Sequence, residues 1–520
     1  MIKRISDFLR GTSKNLTEVF RGSLNKYMNI NKLLKSEKSI YIILFIITFF
    51  IVINSTYSPV NFRRMHIDSS VYTTIAQGIT RGHLPYLDFV DNKGPLTYLF
   101  SAFGLLIGGF TGLWLLELLF IFVTVIFAYK TALFFANKQI ALLGTALSLC
   151  AFYTFFTINA GTEGYALPFL TISFYIVTKY FFSEKQNTSF LDIFIFGACF
   201  ACAVLCKQSM FALWFGFCFI IFIDLIIKKQ FLNLIKYFVG FLLGIIIIFI
   251  PVLLYLQING IFNVFIDQYL FAGYKHGFAS PSLKGIFQNI YAVLNRSLTF
   301  IPFFVCVFWI ITRFKQKEYK YYFGFILSYL FFILNFSLSF GGTHHNMVLL
   351  PYFVPCFVFL ADIIITYFDK LKIKRIFIFL FFIVVFSEGL INYLYDTSKI
   401  LFNNSGQKLK QAGKMIDENT NQGDKIISLG TNAYIYLFTQ REAASRYIFQ
   451  GVGLNHIPGA NKEFISDILT NKPKIIAAFY DDHVEYNYEA AWHEPVYELI
   501  NSDYELLSSE NGFNLYIRIN

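Results

Sequence analysis

The stretch "PLTYLFSAFGLLIGGF", Pro95 to Phe110, decides how the chain is threaded. It is apolar, yet shorter than the roughly 20 residues that a straight helix needs to cross a hydrocarbon layer about 30 Å thick. Small residues run through it. If it crossed, every basic loop after it would change sides. Short loops rich in Lys and Arg stay on the cytoplasmic side. Here these are the N-terminal arm, "ANKQ" with Lys130 before it, "SEKQN", "IIKKQ", "RFKQKEYK" and "DKLKIKR". They fall on one side together only if 95–110 is a juxtamembrane or re-entrant helix on the other, outer face.

Composition requires that kind of argument. The 520 residues are 56% hydrophobic and 14% charged, with 66 Phe, which places the chain among integral membrane proteins. The net charge of +11 is unevenly spread. From Asp396 onward there are 11 Lys/Arg and 16 Asp/Glu, so the basic surplus lies in the membrane part. There it reports orientation, and nothing in the chain reads as a nucleic-acid module. The first apolar run has no small-residue cleavage site after it and reads as a retained anchor. The seven cysteines lie in apolar segments, so no disulfide framework is expected in the tail. Cys199, Cys202 and Cys206 share a helical face and read as packing residues.

The expected fold is a polytopic α-helical membrane protein with about 11 transmembrane helices, outer juxtamembrane helices and a small C-terminal α/β domain. Spans are expected near 39–56, 113–135, 139–158, 166–182, 190–206, 209–227, 237–256, 298–312, 321–338, 347–367 and 376–394. Residues 1–38 form a cytoplasmic basic arm, 39–395 the membrane domain with its outer loop 57–112, and 396–520 an extracytoplasmic α/β domain. In that last part "SGQKLKQAGKMIDENT" has helical spacing, and "DKIISLG", "KIIAAFY" and "NLYIRI" read as strands. "NGF" near the end reads as a hairpin turn.

This threading delivers Asp68, Asp88, Asp91, Lys93, Glu163, Lys207, His344 and His345 to one leaflet at about headgroup depth. Ionisable groups held there are costly, and function is the default reading. Acids beside a lysine at a headgroup suit group transfer from a lipid-linked phosphate. A carboxylate takes the acceptor hydroxyl's proton, and a fixed cation stabilises the departing phosphate. Asp68 or Glu163 can serve as base, with Lys93 or Lys207 on phosphate.

Four stretches carry a family resemblance: "HIDSSVYTTIAQGITRGHLPYLDFVDNKGPLTY", "NAGTEGYALPF", "LCKQSM" and "HHNMVLLPYFVP", with "ASRYIF" in the tail. Together they resemble the membrane glycosyltransferases of the GT-C fold, in the protein O-mannosyltransferase and lipid A aminoarabinose transferase group. The resemblance implies a polyprenyl-phosphate sugar donor, an inverting reaction and a glycan, lipid or protein acceptor. It also implies an active site facing away from the cytoplasm in a multi-pass plasma (inner) membrane protein. It assigns Asp68 and Glu163 to catalysis and Lys93 to donor phosphate; beside it, the residues themselves offer Lys207 as a second phosphate contact and Asp88, Asp91, His344 and His345 as acceptor-side groups. No metal site is expected, and a divalent ion's part in the reaction stays open. Two departures bear on the acceptor side: Ser69 follows Asp68 where relatives write an acidic pair, and "KGP" stands for "KPP".

Blander readings compete at each position. Asp68 stands where a helix cap would, Asp88 and Asp91 can fix a turn, and Lys93 can snorkel to lipid. Glu163 can cap a helix, and Lys207 can be an interface anchor. The two histidines fit an acceptor or phosphate contact, a structural role, or a metal only if carboxylates converge on them. As a whole, the chain competes with a flippase of lipid-linked sugars and a non-catalytic scaffold. The matched broken-helix repeats of many transporters are not visible in it.

Overall fold

A computed structural model of the chain describes residues 36–60, 67–153, 161–183, 188–272, 283–294, 319–338, 343–370, 387–402, 405–430, 433–450, 457–479, 493–510 and 513–519, with isolated positions at 302–308. The membrane part is built from α1 (Glu37–Val52), α2 (Ile67–Thr80), α3 (Pro95–Ala132), α4 (Lys138–Tyr153), α5 (Thr162–Phe182) and α6 (Phe190–Cys206). After these come α7 (Ala212–Ile227), α8 (Phe231–Ile258), α9 (Leu283–Leu294), α10 (Tyr319–Leu338), α11 (Leu350–Lys370) and α12 (Ser387–Phe402). Among the described residues, six helical stretches are long and apolar enough to cross a membrane. The spans expected at 298–312, apart from those isolated positions, and over most of 376–394 lie outside the described residues.

The expected break near 110 is present, inside one helical stretch. Within α3, Gly108 has φ −174° and ψ 33°, and Gly109 has φ 59° and ψ −137°. The second pair is glycine territory, because a Cβ would strain it. Across the break the helix folds back on itself. A Cβ added to Gly112 would lie 2.0 Å from the Gly104 carbonyl oxygen, a pair that a straight helix would hold about 12 Å apart. The 95–107 segment is therefore a separate short helix packed against the start of the next.

Helix α5 carries charged residues only near its two ends. Glu163 stands in its first turn, while Lys179 and Tyr180 near its end reach Asp192 at 2.9 Å and Asp224 at 3.0 Å. Asp224 is also held by Lys228 at 2.7 Å and by Lys320. The two polar layers are about 25 Å apart along the helix, close to the thickness of a hydrocarbon core. Helix α8 leaves Leu232 and Ile258 more than three-quarters exposed, as suits a surface that lipid covers.

The tail folds into helices α13 (Ser405–Glu418), α14 (Ala460–Asn471) and α15 (His493–Asp503) and a five-stranded sheet. Its strands are β1 (Lys425–Leu429), β2 (Glu442–Ala443), β3 (Ile475–Phe479), β4 (Tyr504–Glu510) and β5 (Phe513–Arg518), in the order β2-β1-β3-β5-β4. Strand β1 runs parallel to β2 and β3, and β5 runs antiparallel to β3 and β4. Helix α14 makes the crossover that two parallel strands need. One sheet face packs Ile427 and Ile476 on Phe464, Ile468 and Val496. The other packs Ile426, Ile475 and Leu515 into the core that also holds Tyr57, Tyr72 and Tyr165.

The sheet region rests on α2. The Ala433 amide donates to Ser70 Oγ at 3.0 Å, and Thr74 Oγ1 donates to the Ala433 carbonyl at 3.2 Å. Farther along, the Val90 amide donates to the Arg446 carbonyl at 3.1 Å. Covered on several sides, α2 buries every residue from Ser69 to Ala76. That explains its small and hydroxylated sequence, "SSVYTTIA", where an amphipathic helix would alternate.

Candidate active site

Two loops and three helix ends converge beneath α2. The first loop carries Lys93. Its course is set by Tyr86, a non-glycine residue at φ 68°, a conformation that costs an L-residue roughly 1–2 kcal/mol. Tertiary bonds hold it there. The Tyr86 hydroxyl donates to the Lys93 carbonyl at 2.7 Å, and Gln268 Nε2 donates to the Tyr86 carbonyl at 2.7 Å. The loop then docks on the end of α6, where the Gly94 amide and the Thr97 hydroxyl both donate to the Cys206 carbonyl, at 3.0 and 3.2 Å. A Cβ on Gly94 would lie 1.9 Å from the Leu205 carbonyl oxygen. Only glycine allows this approach, and the approach sets Lys93 beside Lys207.

Lys93 extends past Asn92 Oδ1 at 2.6 Å and Asp91 Oδ1 at 3.9 Å, and lies 5.8 Å from the Tyr72 ring centroid. Asp91 itself is buried and accepts from the Tyr98 hydroxyl at 2.8 Å and the Asn92 amide at 2.8 Å. Burial pushes its carboxyl above the usual range, against the pull of Lys93. Asp68, in the first turn of α2, shares a hydrogen bond with the Tyr72 hydroxyl one turn on. Burial, and after it the charges of Asp68, Asp91 and Glu163, raise the pKa of that hydroxyl well above normal.

The second centre joins three elements. Lys207 breaks the chain between α6 and the turn before α7, with an extended backbone at φ −154°. Its ammonium lies 2.5 Å from Glu163 Oε1 and 2.9 Å from His345 Nδ1, and His345 Nδ1 lies 2.8 Å from the same Glu163 oxygen. The Thr162 hydroxyl donates to the other Glu163 oxygen at 2.6 Å. The His345 ring stacks on Phe336 with centroids 5.7 Å apart. Glu163 suits a helix N-terminus and Lys207 a helix C-terminus. Burial draws Lys207 below the ordinary lysine range, while Glu163 resists that shift. The charges of Lys93 and Asp68 also reach Lys207, so both centres share one electrostatic field.

Asp68, Asp91, Lys93, Glu163, Lys207 and His345 thus gather in one region. Asp88 does not join them. Its carboxylate accepts from the Leu84 amide at 2.7 Å and faces His83 at 3.5 Å, a local turn contact. The side chain of His344 lies outside the described residues. Sequence reading passed over Tyr72, Tyr98, Gln268 and Thr162. Only Tyr72, four residues after Asp68 on one helix face, carried a local signal. Among the described residues, no three metal-type ligands converge, and the space facing Glu163 and His345 holds the Lys207 ammonium.

Residues 29–327 match the family model described as the N-terminal domain of competence-induced protein Ccs4. No curated protein matches the sequence. Among solved structures, the chain is similar to ArnT from Cupriavidus metallidurans bound to undecaprenyl phosphate, with TM-score 0.57 at 10% identity over 92% of this chain and 97% of that one. The apo state of the same protein gives TM-score 0.51 at 10% identity, over 93% and 99%. The archaeal oligosaccharyltransferase AglB from Archaeoglobus fulgidus, in complex with an inhibitory peptide and a dolichol-phosphate, gives 0.53 at 13% identity, over 95% and 75%. ArnT and AglB are membrane glycosyltransferases of the GT-C fold, and at this identity the likeness shows that fold for the present chain.

Proposed function

For a chain that belongs to the competence-induced protein Ccs4 N-terminal domain family and has the GT-C fold, we propose transfer of a sugar from a polyprenyl-phosphate carrier to a glycan, lipid or protein acceptor, with inversion at the anomeric carbon. The observation that carries this reading is the convergence of Asp68, Lys93, Glu163, Lys207 and His345 in one electrostatic field. Two of the similar structures hold polyprenyl or dolichol phosphate, which supports a donor of that class.

Asp68 takes the proton of the acceptor hydroxyl as its oxygen attacks the anomeric carbon. The bond from that carbon to the phosphate oxygen breaks, and its electron pair leaves with the polyprenyl phosphate. Lys93 and Lys207 face the charge that develops there, where fixed cations in a water-poor site stabilise the transition state most. Glu163 holds Lys207 and His345 in register until the phosphate arrives. The fold-back of the 95–107 helix and the positive-inside rule together support a cytoplasmic side for the Lys-rich loops. Asp68, Glu163 and the domain at 396–520 then face outward from a multi-pass plasma membrane protein. The test is transfer of labelled sugar in membranes: the native chain supports it, and Asp68→Asn reduces it at least about 100-fold. Transfer at the native rate by Asp68→Asn removes the assignment.

A further inference from the structure

A concavity of about 350 Å³ lies between α2, the His83–Phe89 turn and the α/β sheet region. Its size is that of a small-ligand site, typically about 300–1,000 Å³. Helix α2 contributes Thr74 and Gln77, with Gly78 and Arg81 beyond them. These positions are centred roughly 130° around the helix axis from Asp68. The cleft is therefore a different site from the one described above, separated from it by the body of α2.

Its lining indicates what it would hold. Four basic side chains, Arg81, Lys425, Arg441 and Arg446, are balanced by four acidic ones. Most of these charges are already engaged. Glu463 pairs with Arg446 at 2.8 Å, Glu442 and Asp88 flank His83 at 3.2 and 3.5 Å, and Asp467 accepts from Ser445 at 2.7 Å. A polyanion would meet as many repelling groups as attracting ones. A neutral ligand rich in hydroxyls meets neither problem. Each hydroxyl is both donor and acceptor, and this wall offers both kinds at fixed places. Guanidinium and carboxylate groups keep N–H groups and lone pairs beyond their internal pairs, and these can engage a sugar's neighbouring hydroxyls.

Resting on the transferase reading, we infer that this cleft binds uncharged sugar units of a glycan acceptor, remote from the reacting end. Such a site uses binding energy from a non-reacting part of the substrate to hold the acceptor near the membrane. It selects a glycan among the acceptor classes.

The test uses the full chain in lipid nanodiscs on an array of immobilised oligosaccharides, with neutral, amino and acidic sugars and a control set of peptides. Leu87→Trp fills the cleft from an exposed position, and Lys425→Ala removes one wall group without adding bulk. The native chain and Asp68→Asn are expected to retain the same neutral oligosaccharides, and each cleft variant to weaken retention at least tenfold. Retention of no oligosaccharide, retention unchanged by both cleft variants, or preference for acidic sugars or peptides overturns the inference. Because Asp68→Asn is read by binding alone, failure of the transferase assignment appears separately, as undiminished sugar transfer by that variant.

Discussion

Glu163 Oε1 lies within hydrogen-bond reach of both Lys207 Nζ, at 2.5 Å, and His345 Nδ1, at 2.8 Å. One carboxylate oxygen therefore organises two groups from different parts of the chain, in a pocket where the Glu163 side chain is only 8% exposed. Removing a single partner of a buried pair leaves a charge without compensation, which typically costs about 3–5 kcal/mol. Lys207→Met is expected to fall at the lower end, because His345 remains beside Glu163. Pairing it with Glu163→Gln should recover most of the lost thermal stability and none of the transfer activity. Unfolding of the purified protein and transfer assays, run side by side, check both halves.

Gly94 makes a steric prediction. Its φ of −71° is available to any residue, so backbone freedom is not the reason for glycine here. The Leu205 carbonyl is, at 1.9 Å from an added Cβ. Gly94→Ala should push the Lys93 loop off the end of α6 and weaken binding of undecaprenyl phosphate more than tenfold. A titration with that lipid measures it, and native affinity in the variant would show that the docking is dispensable.

Gly109 fails for the opposite reason. Nothing crowds it, but φ 59° with ψ −137° excludes a side chain. Gly109→Ala should cost about 1–3 kcal/mol of stability, and Gly108→Ala, at an extended φ, markedly less. Because neither position is crowded, the difference between the two melting temperatures measures the backbone strain at Gly109.

Asp91 gives a pH dependence. Burial raises its folded pKa above the ordinary value of 3.8. A carboxyl raised in this way contributes stability that is full below its unfolded pKa and lost as pH rises through the folded one. Its charge is thus a cost at neutral pH. Asp91→Asn keeps an acceptor for the Tyr98 hydroxyl and should raise the melting temperature at pH 7, with the gain vanishing toward pH 3. A melting temperature that drops at pH 7 would show that Asp91 is needed as an anion beside Lys93.

Much of this architecture was legible from residue chemistry. The segment at 95–110 was too short to cross, and its glycines stand where the chain turns back. "DKIISLG", "KIIAAFY" and "NLYIRI" each fall on a strand of the sheet, and β4 and β5 pair antiparallel on either side of "NG". What the sequence hid depends on long-range geometry. No local pattern shows that the Cys206 carbonyl receives the Lys93 loop, or that Gln268 steadies Tyr86 from 182 residues away. The same limit applies to charge. Nothing local pairs Asp192 with Lys179 or Asp224 with Lys320, because those lysines come from neighbouring helices. Asp88 and Asp91 looked alike in "PYLDFVD", and only the fold separates the turn-fixing acid from the buried one.

The central claim is chemical: Asp68 serves a glycosyl transfer in which Lys93 and Lys207 hold the lipid phosphate. The most direct measurement is mass spectrometry of envelope glycans and polyprenyl-linked sugars from cells carrying the native chain, Asp68→Asn, or the Lys93→Ala/Lys207→Ala pair. The account predicts that both variants lose the same sugar from the same glycan and accumulate its polyprenyl-phosphate donor. Glycans and donor pools identical to the native ones in both variants would contradict it.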